Sequence, residues 1–236
     1  MQQLFSALRR LLCGGCCNKE RAFLFSEMAS LRINGQLSED HTAFFMCDVQ
    51  EKFRGVIAYY DAVISVADKM VKTAKILNIP LIVTEQYPKG LGRTVSELDI
   101  SHAYLVEEKT KFSMITPVVT QAMQEICKGA VKAIVLFGVE AHVCVEQTAA
   151  ELLAHGMQVH VVADCTSSRS QEDRFLALHR MSQMGCYITT SETVIFKLLG
   201  DKNHPKFAEI RPLIKTPSPP TGLVNYSKME GKDMIT

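Results

Sequence analysis

Val131-Lys-Ala-Ile-Val-Leu-Phe137-Gly138-Val-Glu-Ala-His-Val-Cys144 is the stretch on which the fold turns. It opens as a largely apolar run of strand length, Gly138 closes it, and helical spacing resumes over 142–155 until Gly156 supplies a stop. The same unit recurs on both sides. Residues 43–47 form an apolar run ending in Asp48, and 56–77 carry apolar residues at helical spacing. Residues 79–84 read as a second strand, with Pro80 tolerable only at its start, and 104–106 as a short third. Helices are expected over 117–127, 170–184 and 192–199, with strands at 159–162 and 187–188. Strands alternating with helices of this length imply right-handed crossovers. The expectation is therefore a three-layer α/β/α sandwich around a central, mostly parallel, Rossmann-like sheet.

Composition narrows the class. The chain has 236 residues, 47% hydrophobic and 22% charged, enough apolar material for one well-packed core. Lys plus Arg is 26 against 25 for Asp plus Glu, so no nucleic-acid footprint follows from charge. No apolar run reaches the ~18 residues of a membrane-spanning helix. Eight cysteines without a secretory signal pattern read as free thiols of a reducing, cytoplasmic setting. Residues 1–38 read as an extension. Leu4, Leu8, Leu11 and Leu12 share a helical face beside Arg9 and Arg10. Either this segment frays, or it targets an organelle or a membrane surface, with Cys13, Cys16 and Cys17 open to acylation. Residues 39–215 form the expected domain, and 216–236, rich in proline at its start, a flexible tail.

In an open α/β sheet the site lies beyond the carboxyl ends of the strands. Asp48, residues 84–87 and residues 138–144 are then expected on one rim. Cys144 would stand near a helix N-terminus, where unpaired N–H groups and the macrodipole favour a thiolate. Asp48 could take its proton, with a cation holding the pair ionised. His142, two residues from Cys144, points elsewhere on a helix and reads as a rim or capping residue. Asp164, at the end of a strand, fits cap chemistry as well as ligand contact. Neither a dinucleotide fingerprint nor a P-loop is present, so no cofactor is expected.

Three ordered stretches resemble a known family. They are Phe45-Met-Cys-Asp48-Val-Gln50, Lys109-Thr-Lys-Phe112-Ser113, and Gly138-Val-Glu-Ala-His-Val-Cys144 with Gln147-Thr-Ala149. Together they resemble the isochorismatase-like cysteine hydrolases. Thr84-Glu-Gln-Tyr-Pro-Lys-Gly-Leu-Gly92 and Ala163-Asp-Cys-Thr-Ser-Ser-Arg-Ser170 are similar, more narrowly, to its isochorismatase domain-containing proteins 1 and 2. The resemblance implies an Asp–Lys–Cys triad of Asp48, Lys109 and Cys144, with Lys111 as the competing lysine. It also implies a cis Val139–Glu140 bond and an oxyanion hole from the backbone N–H groups of Glu140 and Cys144. Gln50, Phe53, Tyr87 and Phe112 fall where the family binds substrate.

The departures also inform. Nicotinamidases of this family bind a metal through an Asp-x-His pair and a further histidine after the second strand. Here that region reads Thr84-Glu-Gln-Tyr-Pro88, with no histidine before His102, so no metal is expected. Isochorismatases proper lack the cysteine that this chain has. The expected activity is thus hydrolysis of a small amide, carbamoyl or ester substrate through a thioester, by a homo-oligomer. Two alternatives stay open. One is a non-catalytic binding or regulatory protein, motivated by the Glu140 carboxylate beside the nucleophile. The other is a thiol redox sensor using Cys144 and Cys47.

Overall fold

The computed structural model describes residues 35–223. The segment bearing Leu4 to Cys17 and the tail from 224 onward lie outside the described residues. Six strands make the sheet: β1 (Thr42–Cys47), β2 (Leu81–Gln86), β3 (Leu105–Lys109), β4 (Ala133–Val139), β5 (Gln158–Ser167) and β6 (Tyr187–Thr189). Their spatial order is β3-β2-β1-β4-β5-β6, and every pair is parallel. β1 and β4 are buried along their whole length, which explains why they read as unbroken apolar runs. The edge strands β3 and β6 are half exposed and gave weaker signals.

Seven helices are present among the described residues: five between strands, α1 (Tyr60–Leu77), α2 (Pro88–Leu91), α3 (Pro117–Glu125), α4 (Glu146–Ala154) and α5 (Gln171–Gln183), and two after β6, α6 (Ser191–Leu199) and α7 (Phe207–Lys215). One face of the sheet, through Phe44, Met46, Val83, Val135 and Phe137, packs on α1, α6 and Ile210 of α7. The other face, through Ala43, Phe45, Ile82, Ile134 and Leu136, packs on α3, α4 and α5. This is the expected three-layer sandwich.

The differences from expectation have local causes. The helix after β1 begins at Tyr60 rather than 56, because Tyr59 takes a left-handed φ of 56°. β5 runs to Ser167, well past 162, carrying Asp164 within the strand. α7 is unforeseen, since Pro212 inside it reads as a breaker. Past the expected boundary at 215, Lys69 Nζ donates to Ser218 Oγ at 2.9 Å and Arg174 donates to the Thr221 carbonyl at 2.6 Å.

Candidate active site

Chain order reverses between β1, whose next neighbour in sequence lies on one side, and β4, which lies on the other. In open parallel sheets ligands bind at such a switch point, beyond the carboxyl ends of the strands. Gly138 makes the close approach possible. Its φ is 121°, and a Cβ there would collide with the Cys47 carbonyl across the β1–β4 pair.

Asp48 leaves β1 with a left-handed φ of 51° and is fully buried. The turn aims its carboxylate along the rim. Thr84 Oγ1 donates to Oδ1 at 2.7 Å, and Lys109 Nζ donates to Oδ2 at 2.7 Å. Register explains both contacts: Thr84 pairs with Cys47 across β1–β2, and Lys109 pairs with Gln86 across β2–β3. The Lys109 ammonium also donates to Gln86 Oε1 at 2.6 Å and to the Phe112 and Lys111 carbonyls at 2.9 and 3.2 Å. Its three protons are thus held by four oxygens. Burial pulls the Lys109 pKa down, but Cys47, Asp48 and Cys144 together carry it above the usual lysine value. The ammonium stays charged.

Cys144 lies in a π-helical turn, Ala141–Val145, that feeds directly into α4. Such widened turns recur at functional sites. Thr148 Oγ1 donates to the Cys144 carbonyl at 2.6 Å and accepts from the Met114 N–H at 2.9 Å, tying the turn to the segment after β3. The Cys47 and Cys144 sulfurs and an Asp48 oxygen lie within 4.8 Å of one another. Cys47 Sγ donates to Asp48 Oδ2 at 3.6 Å. Burial, a hydrogen bond with Cys144 and the Asp48 charge push the Cys47 thiol well above its ordinary pKa. Two thiols and a carboxylate are a conceivable metal donor set. Here Lys109 already places a cation on that carboxylate, and Thr84 takes its other oxygen.

The remaining expected residues divide. Lys111 turns its ammonium to the Ile115 carbonyl at 2.9 Å and to Glu151 at 2.8 Å, away from Asp48. Gln50 is buried, and its amide is spent on backbone: Nε2 donates to the Gln86 and Gly92 carbonyls at 3.0 and 2.7 Å, and Oε1 accepts from the Gln86 N–H at 2.7 Å. It braces the ends of β1 and β2. Phe53 packs half-buried on the α1-side core. Tyr87 and Phe112 are 55% and 52% exposed and flank Lys109, whose carbonyl accepts from the Tyr87 N–H at 2.8 Å. The Val139–Glu140 peptide is cis.

Glu140 turns its carboxylate to Arg169, with Oε1 at 2.9 Å from Nη2 and Oε2 at 3.1 Å from the backbone N–H. Burial alone would raise the Glu140 pKa, but the hydrogen bonds and charge of Arg169 bring it below the usual value. His142 Nδ1 sits 2.9 Å from Ser168 Oγ on the same rim. Asp164 accepts from Ser191 N and Oγ at 2.8 and 2.6 Å, so it anchors the start of α6. Thr84, Gln86 and Arg169 are the site residues whose parts went unassigned by sequence reasoning. The first two were findable only through strand register.

Known proteins are similar to this chain in sequence and fold. The Isochorismatase domain family model matches residues 42–193. Isochorismatase domain-containing protein 1 of Salmo salar is 50% identical over 214 residues, covering 87% of this chain and 75% of that protein. Isochorismatase domain-containing protein 2 of Xenopus laevis is 48% identical, covering 84% of this chain and 95% of that protein. The solved structure of the MAR1 ribonuclease from Caenorhabditis elegans aligns with a TM-score of 0.77 at 46% identity, over 82% of this chain and 99% of that one.

Proposed function

The chain belongs to the isochorismatase family, and from that premise we propose that it is a metal-independent cysteine hydrolase of a small amide, carbamoyl or ester substrate. One observation carries the reading: a buried lysine ammonium 2.7 Å from Asp48, with the Cys144 sulfur within 4.8 Å of the same carboxylate. Asp48 takes the Cys144 proton, and the thiolate adds to the substrate carbonyl. Backbone N–H groups of Glu140 and Cys144 hold the oxyanion. Collapse of the tetrahedral intermediate breaks the carbonyl–leaving-group bond, and Asp48 returns the proton to the departing amine or alcohol. The resulting thioester is hydrolysed by a water that gives its proton to Asp48. Lys109 keeps its proton throughout and holds the carboxylate in place. Tyr87 and Phe112 offer aromatic surface to the substrate, while Gln50 positions β1 against β2 without touching it.

The engagement of Glu140 by Arg169 supports this reading over a non-catalytic one, since the carboxylate beside the nucleophile is already neutralised. Among the described residues the five cysteines are free, which supports a reducing, cytoplasmic setting. No helix among the described residues is long and apolar enough to cross a membrane. Self-association is expected as well. Ala149 and Leu152 are consumed in the chain's own core, leaving the half-exposed Val143 and exposed Phe175 and Leu176 for contact.

The MAR1 ribonuclease relative supports a second reading, cleavage of an RNA phosphodiester. Against it, a net charge of +1 supplies little for a polyanion. The test combines a panel of small amides, carbamoyl compounds and esters with single-stranded RNA, followed by mass spectrometry of Cys144. An acyl adduct on Cys144, turnover that survives a chelator and is lost in Cys144→Ala, and uncut RNA are expected. Turnover retained in Cys144→Ala removes the covalent mechanism. RNA cleavage lost in Cys144→Ala installs the second reading.

A further inference from the structure

Cys47 has no part in the hydrolysis described above, yet it is built into the same cluster. It ends β1 with its side chain fully buried, and its sulfur lies within 4.8 Å of the Cys144 sulfur. Its thiol donates to Asp48 Oδ2 at 3.6 Å, so a proton acceptor is already in place beside it. The other described cysteines lack this company. Cys165 donates to the Val63 carbonyl at 3.5 Å on the opposite face of the sheet, and neither Cys127 nor Cys186 belongs to the cluster.

We propose that Cys47 is a resolving thiol, which captures peroxide-oxidised Cys144 as a reversible Cys47–Cys144 disulfide. In the first step the Cys144 thiolate attacks one oxygen of hydrogen peroxide. The O–O bond breaks, the departing hydroxide takes from Asp48 the proton that Cys144 gave up and leaves as water, and Cys144 becomes a sulfenic acid. In the second, the Cys47 sulfur attacks the Cys144 sulfur while its proton passes to Asp48. The S–O bond breaks, and the departing hydroxide takes that proton from Asp48 as water. Two thiols lose two electrons, peroxide gains them, and the products are one disulfide and two waters. The two sulfurs have to close to the ~2.05 Å of an S–S bond. Lys109 Nζ, 2.7 Å from Asp48 Oδ2, holds that carboxylate in place beside both sulfurs.

The consequence is protective. A sulfenic acid without a nearby thiol proceeds to the sulfinic acid, which common thiols do not reverse. Cys47 diverts that path, so peroxide switches the site off and a dithiol switches it on again. The inference shares Cys144 with the proposed hydrolase and rests on its ionising, but it is read as a covalent mass without any substrate. Hydrolysis with no disulfide overturns this inference alone, and a disulfide with no hydrolysis leaves it standing without the hydrolase.

The experiment exposes the reduced full chain to a small excess of hydrogen peroxide, quenches with N-ethylmaleimide and maps peptides without reduction. The expected product is the Cys47 peptide joined to the Cys144 peptide, lighter by two hydrogens than the separate thiols and released by dithiothreitol. In Cys47→Ala and Cys47→Ser, Cys144 is expected as sulfinic acid, with loss of its recovery by dithiothreitol. Four results overturn the proposal. They are sulfinic acid at Cys144 forming as fast in the wild type as in both variants, Cys144 joined to Cys13, Cys16 or Cys17, Cys144 left unmodified, and full dithiothreitol recovery of Cys144 in both variants. The wild-type linkage decides the matter even if neither variant folds.

Discussion

The two halves of the sheet treat charge in opposite ways. On the β1–β3 side an ion pair, Asp48 with Lys109, is wholly buried, with both side chains at 0% exposure. On the β4–β6 side the pair of Glu140 with Arg169 sits at the rim, with the arginine 62% exposed. Two further ionisable side chains buried in that second half, Arg174 and His160, form no ion pair within 4 Å. Arg174 donates from its two terminal nitrogens to the Thr221 and Ala163 carbonyls, its Nε is left without a partner, and burial brings its pKa down to about 10. His160 stacks on Tyr187 at 4.7 Å, with no hydrogen-bond partner for Nε2. The first half therefore fixes a charge state where bonds are to be made. The second half spends its polar groups on holding helices and the chain's later segments. A buried pair is brittle because either charge alone is costly there, whereas a rim pair is screened and replaceable.

Lys109→Met tests the brittle side and carries the largest expected effect. It leaves the Asp48 carboxylate buried without its cation, which costs about 3–5 kcal/mol. Denaturant unfolding reads this as a lower midpoint. Adding Asp48→Asn to Lys109→Met removes the orphaned charge and restores much of the stability, while turnover stays lost in both. A single variant as stable as the wild type would break the comparison, since the buried pair would then be no more demanding than the rim pair.

The second half answers to pH instead. Burial, helped by the charge of Lys197, lowers the His160 pKa from 6.5 to about 4. The folded state therefore refuses a proton that the unfolded chain accepts. Stability from this residue is complete above pH 6.5, falls as pH drops through the window from 6.5 to about 4, and is flat below it. The loss is about 3 kcal/mol. The difference between wild type and His160→Phe across that window isolates it from the carboxylates. Equal slopes in the two proteins would show that this half is not carrying a neutral histidine.

Sequence reading reached the two halves unequally as well. β1 and β4 were legible because strands buried on both faces are apolar throughout, and Gly138 and Cys144 stand out at their boundary. Asp48 was legible for the same reason, as the polar residue that ends an apolar run. The choice of Lys109 over Lys111 was not a matter of pattern. β3 ends at Lys109, so its side chain faces the cluster, while Lys111 lies in the following bend and turns to Glu151. Thr84 and Gln86 acquire their roles from register across β1–β2 and β2–β3, and a single chain carries no record of register. Arg169 meets Glu140 from 29 positions away, after the full length of β5, which the periodicity had cut short. The π-helical turn around Cys144 has no sequence signature separate from an ordinary helix start.

Thr84→Val sharpens the first half further. The change keeps the shape but deletes the hydroxyl that donates to Asp48 Oδ1, and both residues are fully buried. A hydrogen bond to a charged group of this kind is worth about 1.5–3 kcal/mol. An unchanged unfolding midpoint would mean that Lys109 alone holds the carboxylate.

Arg169→Ala carries the smallest expected stability effect, because the arginine is mostly solvated. Its effect on reactivity has the opposite rank. Without Arg169 the Glu140 carboxylate keeps its charge but loses the neighbour that balances it, four residues before Cys144. Thiolate formation is then opposed, and the alkylation–pH profile of Cys144, resolved by mass spectrometry, moves to higher pH. Glu140→Gln combined with Arg169→Ala removes the opposing charge and moves the profile back. A rim pair that leaves the fold untouched yet shifts the nucleophile would mean that the two halves divide stability from reactivity. A profile unmoved by either substitution would confine the electrostatics of Cys144 to the Asp48–Lys109 side.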